Sequence, residues 1–219
     1  MTIRTKALVL ICGILISIHL QQQFKMLSFY KITCTGETMK LTAEIFWNRY
    51  INSGKRHLLI TGWRGKGKST LFNRMTGFVS CGNAVLAGLT SVYVPKTGVM
   101  LVDNITKAEA AVGIYCPEKA EIGKNMIPHS DGFYTVGIPA LEAVAGSDEE
   151  WFAIDEIGFL ESNEPQFQQA LRKAMDAKKL LAVVRKTEKG AVPFIDEILS
   201  RSDAFVIDLD DYDNADYWD

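Results

Sequence analysis

His57-Leu-Leu-Ile-Thr-Gly-Trp-Arg-Gly-Lys-Gly-Lys-Ser-Thr70 decides the fold. Residues 57–61 are an apolar run of strand length, and Lys68 to Met75 carries helical spacing. Between them, Gly62-Trp63-Arg64-Gly65-Lys66-Gly67-Lys68-Ser69 fits G-x-x-x-x-G-K-[ST] at every position. The glycines let the backbone turn its N–H groups inward around phosphate oxygens. Lys68 can reach β- and γ-phosphates, and the Ser69 hydroxyl is a hard oxygen ligand for Mg²⁺. The helix that starts there adds its positive end to the same place. Such a string arises by chance on the order of once in a hundred chains this long. The strand before it and the helix after it remove most of those accidental cases.

Outward from this loop, helices alternate with short apolar strands. Met39 to Asn52 places Leu41, Ile45, Phe46 and Tyr50 on a helical face ending near Gly54. Ser91–Val94, Val99–Val102 and Ala111–Cys116 read as strands between turn-forming residues, and residues 117–132 as a loop. Pro139–Ala145 reads as a short helix, Trp151–Ile154 as a buried strand and Pro165–Ala177 as a helix with proline in its first turn. Leu180–Val184 and Ala204–Ile207 are strands, with a helix at Phe194–Ser200 between them. The expected fold is α/β, a P-loop NTPase with a mostly parallel central sheet flanked by helices. An antiparallel strand insertion is expected around residues 85–116.

A second element carries acid. Trp151-Phe-Ala-Ile154 followed by Asp155-Glu156 has the form of an apolar strand delivering carboxylates to its C-terminal end, where open α/β sheets bind ligands. Asp155 would hold Mg²⁺ together with Ser69, and Glu156 could polarise an attacking water. Asp155-Glu-Ile-Gly158 also satisfies D-x-x-G, which would suit guanine nucleotides. The companion N-K-x-D is lacking, because Thr106-Lys107-Ala108-Glu109 has no aspartate and precedes the acidic strand. Glu156 as general base is the better assignment.

With these residues in place, the chain resembles the nucleoside-triphosphatase family first described from thermophiles. Asp155-Glu-Ile-Gly-Phe-Leu-Glu161 is similar to that family's Asp-Glu-Ile-Gly-x-Met-Glu, with Leu160 for methionine. The likeness continues through Gly132-Phe-Tyr-Thr-Val136, Phe167-x-x-Ala170, Leu181-Ala-Val-Val-Arg185 and Asp203-Ala-Phe-Val-Ile-Asp208, covering roughly residues 57 to 208. It departs at Gly88-Leu-Thr90-Ser-Val92, which lacks the acid and the arginine of the family's Gly-x-x-Thr-x-Glu-x-Arg. The resemblance implies slow, metal-dependent hydrolysis of ATP or another nucleoside triphosphate with broad base tolerance.

Composition sets the remaining bounds. The 219 residues are 47% hydrophobic and 23% charged, which excludes a disordered chain and a polytopic membrane protein. Ile45 to Val102 contains eight Lys or Arg and no acid, whereas Leu141 to Asp219 contains 19 acids against 8 bases. A local anionic ligand fits that contrast, and no nucleic-acid partner is expected. Because γ-phosphate charge wants a further cation, Arg185 is the first candidate, with Arg64 and Lys66 in the loop itself. Arg172 and Lys173 read as solvated. Thr70 is assigned to the α-phosphate, and Trp63 could stack on a base or meet a protein partner. Cys12, Cys34, Cys81 and Cys116 show no metal-ligand spacing, so free thiols in a reducing compartment are expected.

Three segments follow from this. Residues 1–38 form an N-terminal extension whose apolar run, Ala7–Leu20, is short for a membrane span; an extension ahead of an internal start at Met26 or Met39 is favoured over a weak anchor or retained signal. Residues 39–208 form the nucleotide-binding domain, and a cytoplasmic location is expected. Residues 209–219 form an acidic tail, read as a disordered end, with competition against phosphate for the basic loop as the alternative. Two other functions share the same loop. One is a nucleotide or metabolite kinase needing an acceptor pocket and a lid, for which residues 117–132 are long enough. The other is a nucleotide-gated module for an unidentified protein.

Overall fold

The computed structural model describes residues 42–80, 85–118 and 126–212, all within the compact unit Lys40–Asp219. The expectations placed on residues 1–38, on Cys12, Cys34 and Cys81 and on residues 213–219 lie outside the described residues. Among the described residues, no helix is long and apolar enough to cross a membrane, and Cys116 is a free thiol.

Helix α1 (Ala43–Ser53) leads into β1 (His57–Thr61), the glycine-rich loop and α2 (Lys68–Val79). Four strands follow: β2 (Gly88–Val94), β3 (Gly98–Asp103), β4 (Glu109–Tyr115) and β5 (Met126–Pro128). A π-helical turn, Phe133–Gly137, opens α3 (Ile138–Gly146). Then come β6 (Trp151–Ile157), α4 (Pro165–Ala177), β7 (Lys179–Val184), α5 (Pro193–Leu199) and β8 (Ala204–Asp208). The strands form one eight-stranded sheet in the order β5-β4-β3-β2-β6-β7-β1-β8. Pairs β2–β6, β6–β7, β7–β1 and β1–β8 are parallel; β2–β3, β3–β4 and β4–β5 are antiparallel. The expected mostly parallel core with an antiparallel insertion is therefore present, and the insertion runs on to Pro128.

Alternation along the central strands sorts side chains into two layers. Leu58 and Ile60 of β1, Leu181 and Val183 of β7, and Trp151 and Ala153 of β6 pack with α1 and α2. Leu59, Leu180, Ala182, Val184, Phe152 and Ile154 pack on the opposite face with α3, α4 and α5. Each fully buried Leu, Ile or Val contributes roughly 1.5–3 kcal/mol, so an apolar run such as His57–Thr61 is stable only when covered on both sides.

Several elements differ from the sequence expectation. Helix α2 continues past Met75 to Val79, and β5 lies inside the stretch expected to be a loop over 117–132. Strand β6 extends through Ile157, so Asp155 and Glu156 lie within it. Asp155 is opposite Val183 and Ile157 opposite the next residue, Val184, leaving Glu156 as the extra residue of a β-bulge with φ 90°. Without the bulge, period-two alternation would send Ile157 to the face of Trp151 and Ala153; with it, Ile157 joins Phe152 and Ile154. Packed structure also continues past Asp208. Leu209 is fully buried, and the Tyr212 ring meets Phe46 edge-on at 5.1 Å.

Gly88 sits where β2 meets β6. A Cβ there would lie 2.0 Å from the Ala153 carbonyl oxygen, and φ is +124°. Gly88→Ala is expected to destabilise the fold by about 3 kcal/mol or more, read from denaturant midpoints; a loss under about 1 kcal/mol would contradict this pairing.

His57 is buried, with Nδ1 accepting the Leu180 N–H at 3.2 Å and Nε2 lying 3.3 Å from Asp203 Oδ2. Burial pulls its pKa down to about 4, against the opposing pull of the Asp203 carboxylate. The unfolded chain, near the ordinary 6.5, therefore takes up this proton first. Stability should fall as pH drops from about 6.5 towards about 4 and level off for this group below that. Thermal melts of His57→Gln across the same range should show a shallower slope.

Candidate functional site

Because β1, β7 and β6 are parallel neighbours, their C-terminal ends share one rim of the sheet. Ile60 is opposite Val183, and Val183 is opposite Asp155. The glycine-rich loop thus leaves β1 just beyond the row that holds Asp155. The register alone brings the two sequence motifs together.

Gly62, Gly65 and Gly67 adopt φ of 143°, 83° and 83°, values that side chains rarely tolerate. Gly67 is the N-cap of α2, so among the described residues the cap position carries no side chain to take the first N–H groups. Its first N–H groups are therefore available to an anion, at the positive end of the helix dipole. Trp63, Arg64, Gly65 and Ser69 are exposed, while Lys66, Gly67, Lys68 and Thr70 are half-buried.

Lys68 spans the loop. Its Nζ donates to the carbonyls of Gly62 at 2.8 Å and Trp63 at 3.1 Å. Burial pulls its pKa down; Glu156 opposes this, Arg185 adds to it, and Asp210 and Asp155 oppose it further. Every one of those groups is thus within electrostatic reach of the ammonium.

Burial raises the Asp155 pKa, the neighbouring Glu156 raises it further, and Lys68 opposes both. A cation at this carboxylate would restore its ionised form. Among the described residues there is no group of three or more His, Cys, Asp or Glu able to hold a metal. The chemistry of the donor set nevertheless fits Mg²⁺, which is commonly bound by one or two protein oxygens together with substrate phosphates and water. Ser69 and Asp155 would supply two such oxygens.

Glu156 and Arg185 face each other. Arg185 Nε donates to Glu156 Oε1 at 2.7 Å and Nη2 to Oε2 at 3.3 Å. The guanidinium also lies 5.4 Å from the Phe159 ring centroid. The expected base and the expected arginine thus form one unit at the end of β6 and β7. Arg172 is engaged elsewhere, pairing with Glu197 of α5 at 2.7 and 2.6 Å. His129 Nε2 lies 3.6 Å from Asp131 Oδ2 at the surface.

Two acids at this rim were not among the expected site residues. Glu161 is buried and accepts the Gly158 N–H at 2.7 Å; burial pushes its pKa up to about 7, against the bonds from its own N–H and that of Gly158. It closes the Asp155–Glu161 segment, which was the only sequence signal for it. Asp210 accepts the Trp63 N–H at 2.9 Å and the Lys186 ammonium at 3.0 Å. Lys186 also lies 5.9 Å from the Trp63 ring centroid.

Comparison with known proteins bears on the family and the fold. A family model described as NTPase matches residues 57–217. A nucleoside-triphosphatase THEP1 of Thermotoga sp. (strain RQ2) is 27% identical over 158 residues, covering 70% of this chain and 86% of the relative. Its counterpart from Thermotoga maritima is 23% identical over 154 residues, again covering 70% and 86%. Among solved structures, THEP1 of Aquifex aeolicus superposes with a TM-score of 0.54 at 22% identity, covering 70% of this chain and 89% of that one. A human cancer-related nucleoside triphosphatase gives 0.55 at 18% identity, covering 70% and 88%. The structural likenesses show the shared fold, and the family match across well over half of the sequence shows that this chain belongs to the NTPase family.

Proposed function

We propose that this nucleoside-triphosphate hydrolase binds the Mg²⁺ complex of its substrate in the cradle of residues 62–70 and cleaves the β–γ bond to give diphosphate and phosphate. Support comes above all from the convergence of Lys68, Asp155, Glu156 and Arg185 at one rim of the sheet. Gly62, Gly65 and Gly67 shape the cradle, and Trp63, Arg64 and Lys66 line its exposed side. Lys68 neutralises charge on the β- and γ-phosphates. Thr70 contacts the α-phosphate, and Ser69 and Asp155 hold the metal. When bound, Mg²⁺ offsets the charge of the phosphate oxygens.

Glu156 takes a proton from the attacking water as its oxygen bonds to the γ-phosphorus. The bond to the bridging oxygen breaks, and that oxygen leaves with the diphosphate. Arg185, which donates to both carboxylate oxygens of Glu156, orients the base and would meet charge building on the γ-phosphoryl group. The left-handed backbone at Glu156 is of the kind that persists at functional sites only when surrounding structure enforces it. Slow turnover and broad base tolerance are what the family resemblance implies.

Two variants test the roles. Lys68→Ala should weaken nucleotide binding by roughly a hundredfold or more, measured by direct titration with a fluorescent nucleotide. Glu156→Gln should bind comparably but lose turnover by roughly 10²–10⁴-fold. Phosphate release from ATP, GTP, CTP and UTP by the full chain with Mg²⁺, beside Glu156→Gln, is the deciding experiment. Release from several nucleotides that disappears in the variant is expected. Undiminished release in the variant would remove Glu156 as base, and tight binding without release from any nucleotide would favour a kinase or switch.

A further inference from the structure

We propose that Asp210, in the turn Leu209–Asp211 that follows β8, is a positioning residue of the phosphate loop, setting its entry in advance for the nucleotide's phosphates. This rests on the assignment of residues 62–70 as the nucleotide cradle.

The turn meets the loop on two sides. A Cβ on Gly62 would lie 3.1 Å from Leu209 Cβ, so the opening glycine sits directly against the buried Leu209. Beside it, the Trp63 N–H donates to Asp210 Oδ2 at 2.9 Å, and Lys66 Nζ lies 3.6 Å from Asp210 Oδ1. The carboxylate is itself held. Lys186 donates to Asp210 Oδ2 at 3.0 Å and to Asp208 Oδ2 at 2.7 Å, and the Asp210 N–H donates to Asp208 Oδ1 at 3.1 Å. A chain of contacts therefore runs from the end of β7 through the end of β8 to the first turn of the cradle.

Its place argues for support rather than competition. The carboxylate takes the N–H of Trp63, immediately after the opening glycine. At the start of α2, where phosphate charge would be held, the cap position is Gly67, and Asp210 bonds the N–H of Trp63 instead. Asp210 thus restrains the entry of the loop without filling its anion-binding end. A glycine-rich loop loses much conformational freedom when it closes on a ligand. Fixing one end beforehand lowers the cost paid at binding.

Mg–ATP titration and steady-state hydrolysis by the full chain, each variant assayed well below its own melting temperature, separate the possibilities. Asp210→Ala should raise Kd and KM by roughly tenfold, with a much smaller change in kcat. Asp210→Asn, whose amide oxygen still accepts the Trp63 N–H, should recover most of that loss. Asp210→Glu keeps the charge but displaces its oxygens by a methylene and should not recover it. If Asp210→Ala fails to fold, the contrast between the Asn and Glu variants carries the test. Unchanged Kd in the Ala and Glu variants overturns the proposal, as does tighter binding, which would make the carboxylate a competitor of phosphate. An equal loss in Asn and Ala overturns it too, since charge alone would then be responsible. A wild-type chain that binds no nucleotide sinks the cradle assignment as well; wild-type binding matched by Asp210→Ala sinks only the role of Asp210.

Discussion

The parallel insertion of β7 between β1 and β6 is the constraint on which the site depends. It fixes which residues stand abreast. Ile60, Val183 and Asp155 form one row, so a loop leaving β1 and an acid on β6 emerge on the same rim. A slip of one residue in either pairing would turn the buried side chains of that strand to the wrong layer. Leu58, Leu59 and Ile60 are all fully buried, and the two packed layers oppose such a slip. Packing on both faces of the sheet thereby sets the position of charged groups that make few apolar contacts themselves.

Within that frame the bulge at Glu156 separates two demands on one short segment. Ile157 has to return to the layer occupied by Phe152 and Ile154, while Asp155 and Glu156 have to face the ligand rim. An extra residue in left-handed backbone satisfies both. Beyond it, Gly158 donates to the buried Glu161, and Arg185 crosses over Gly158, whose Cβ would be 3.7 Å from the Arg185 Nε. A side chain there would narrow the passage the guanidinium uses to reach Glu156.

Much of this was legible in the residues. The loop between Gly62 and Ser69 was readable because phosphate chemistry demands particular residue types at fixed spacing, and Asp155 and Glu156 followed from an apolar strand ending in acid. The bulge was not readable, because glutamate gives no sign that its backbone will adopt φ above zero. Strand β5 was hidden by its length, since Met126–Pro128 is too short to show alternation. Helical spacing was read only to Met75, yet α2 continues through Gly77 to Val79, at a typical cost of about 1 kcal/mol for glycine relative to alanine that the packing of Leu71, Phe72 and Met75 offsets. Asp210 was obscured by its neighbours. In an acid-rich stretch one aspartate looks like the next, and only the fold shows which of them meets a backbone N–H.

The short strand β5 has a consequence for the molecule's behaviour at high concentration. It forms one border of the sheet, where unpaired backbone groups could recruit a strand from another molecule. Among the described residues the border strand is Met126–Pro128, and Pro128 has no N–H to offer. A described border strand this short, and missing one donor, is a poor template for an added strand. Pro128 thus leaves a gap in the donor row beside the exposed Ile127.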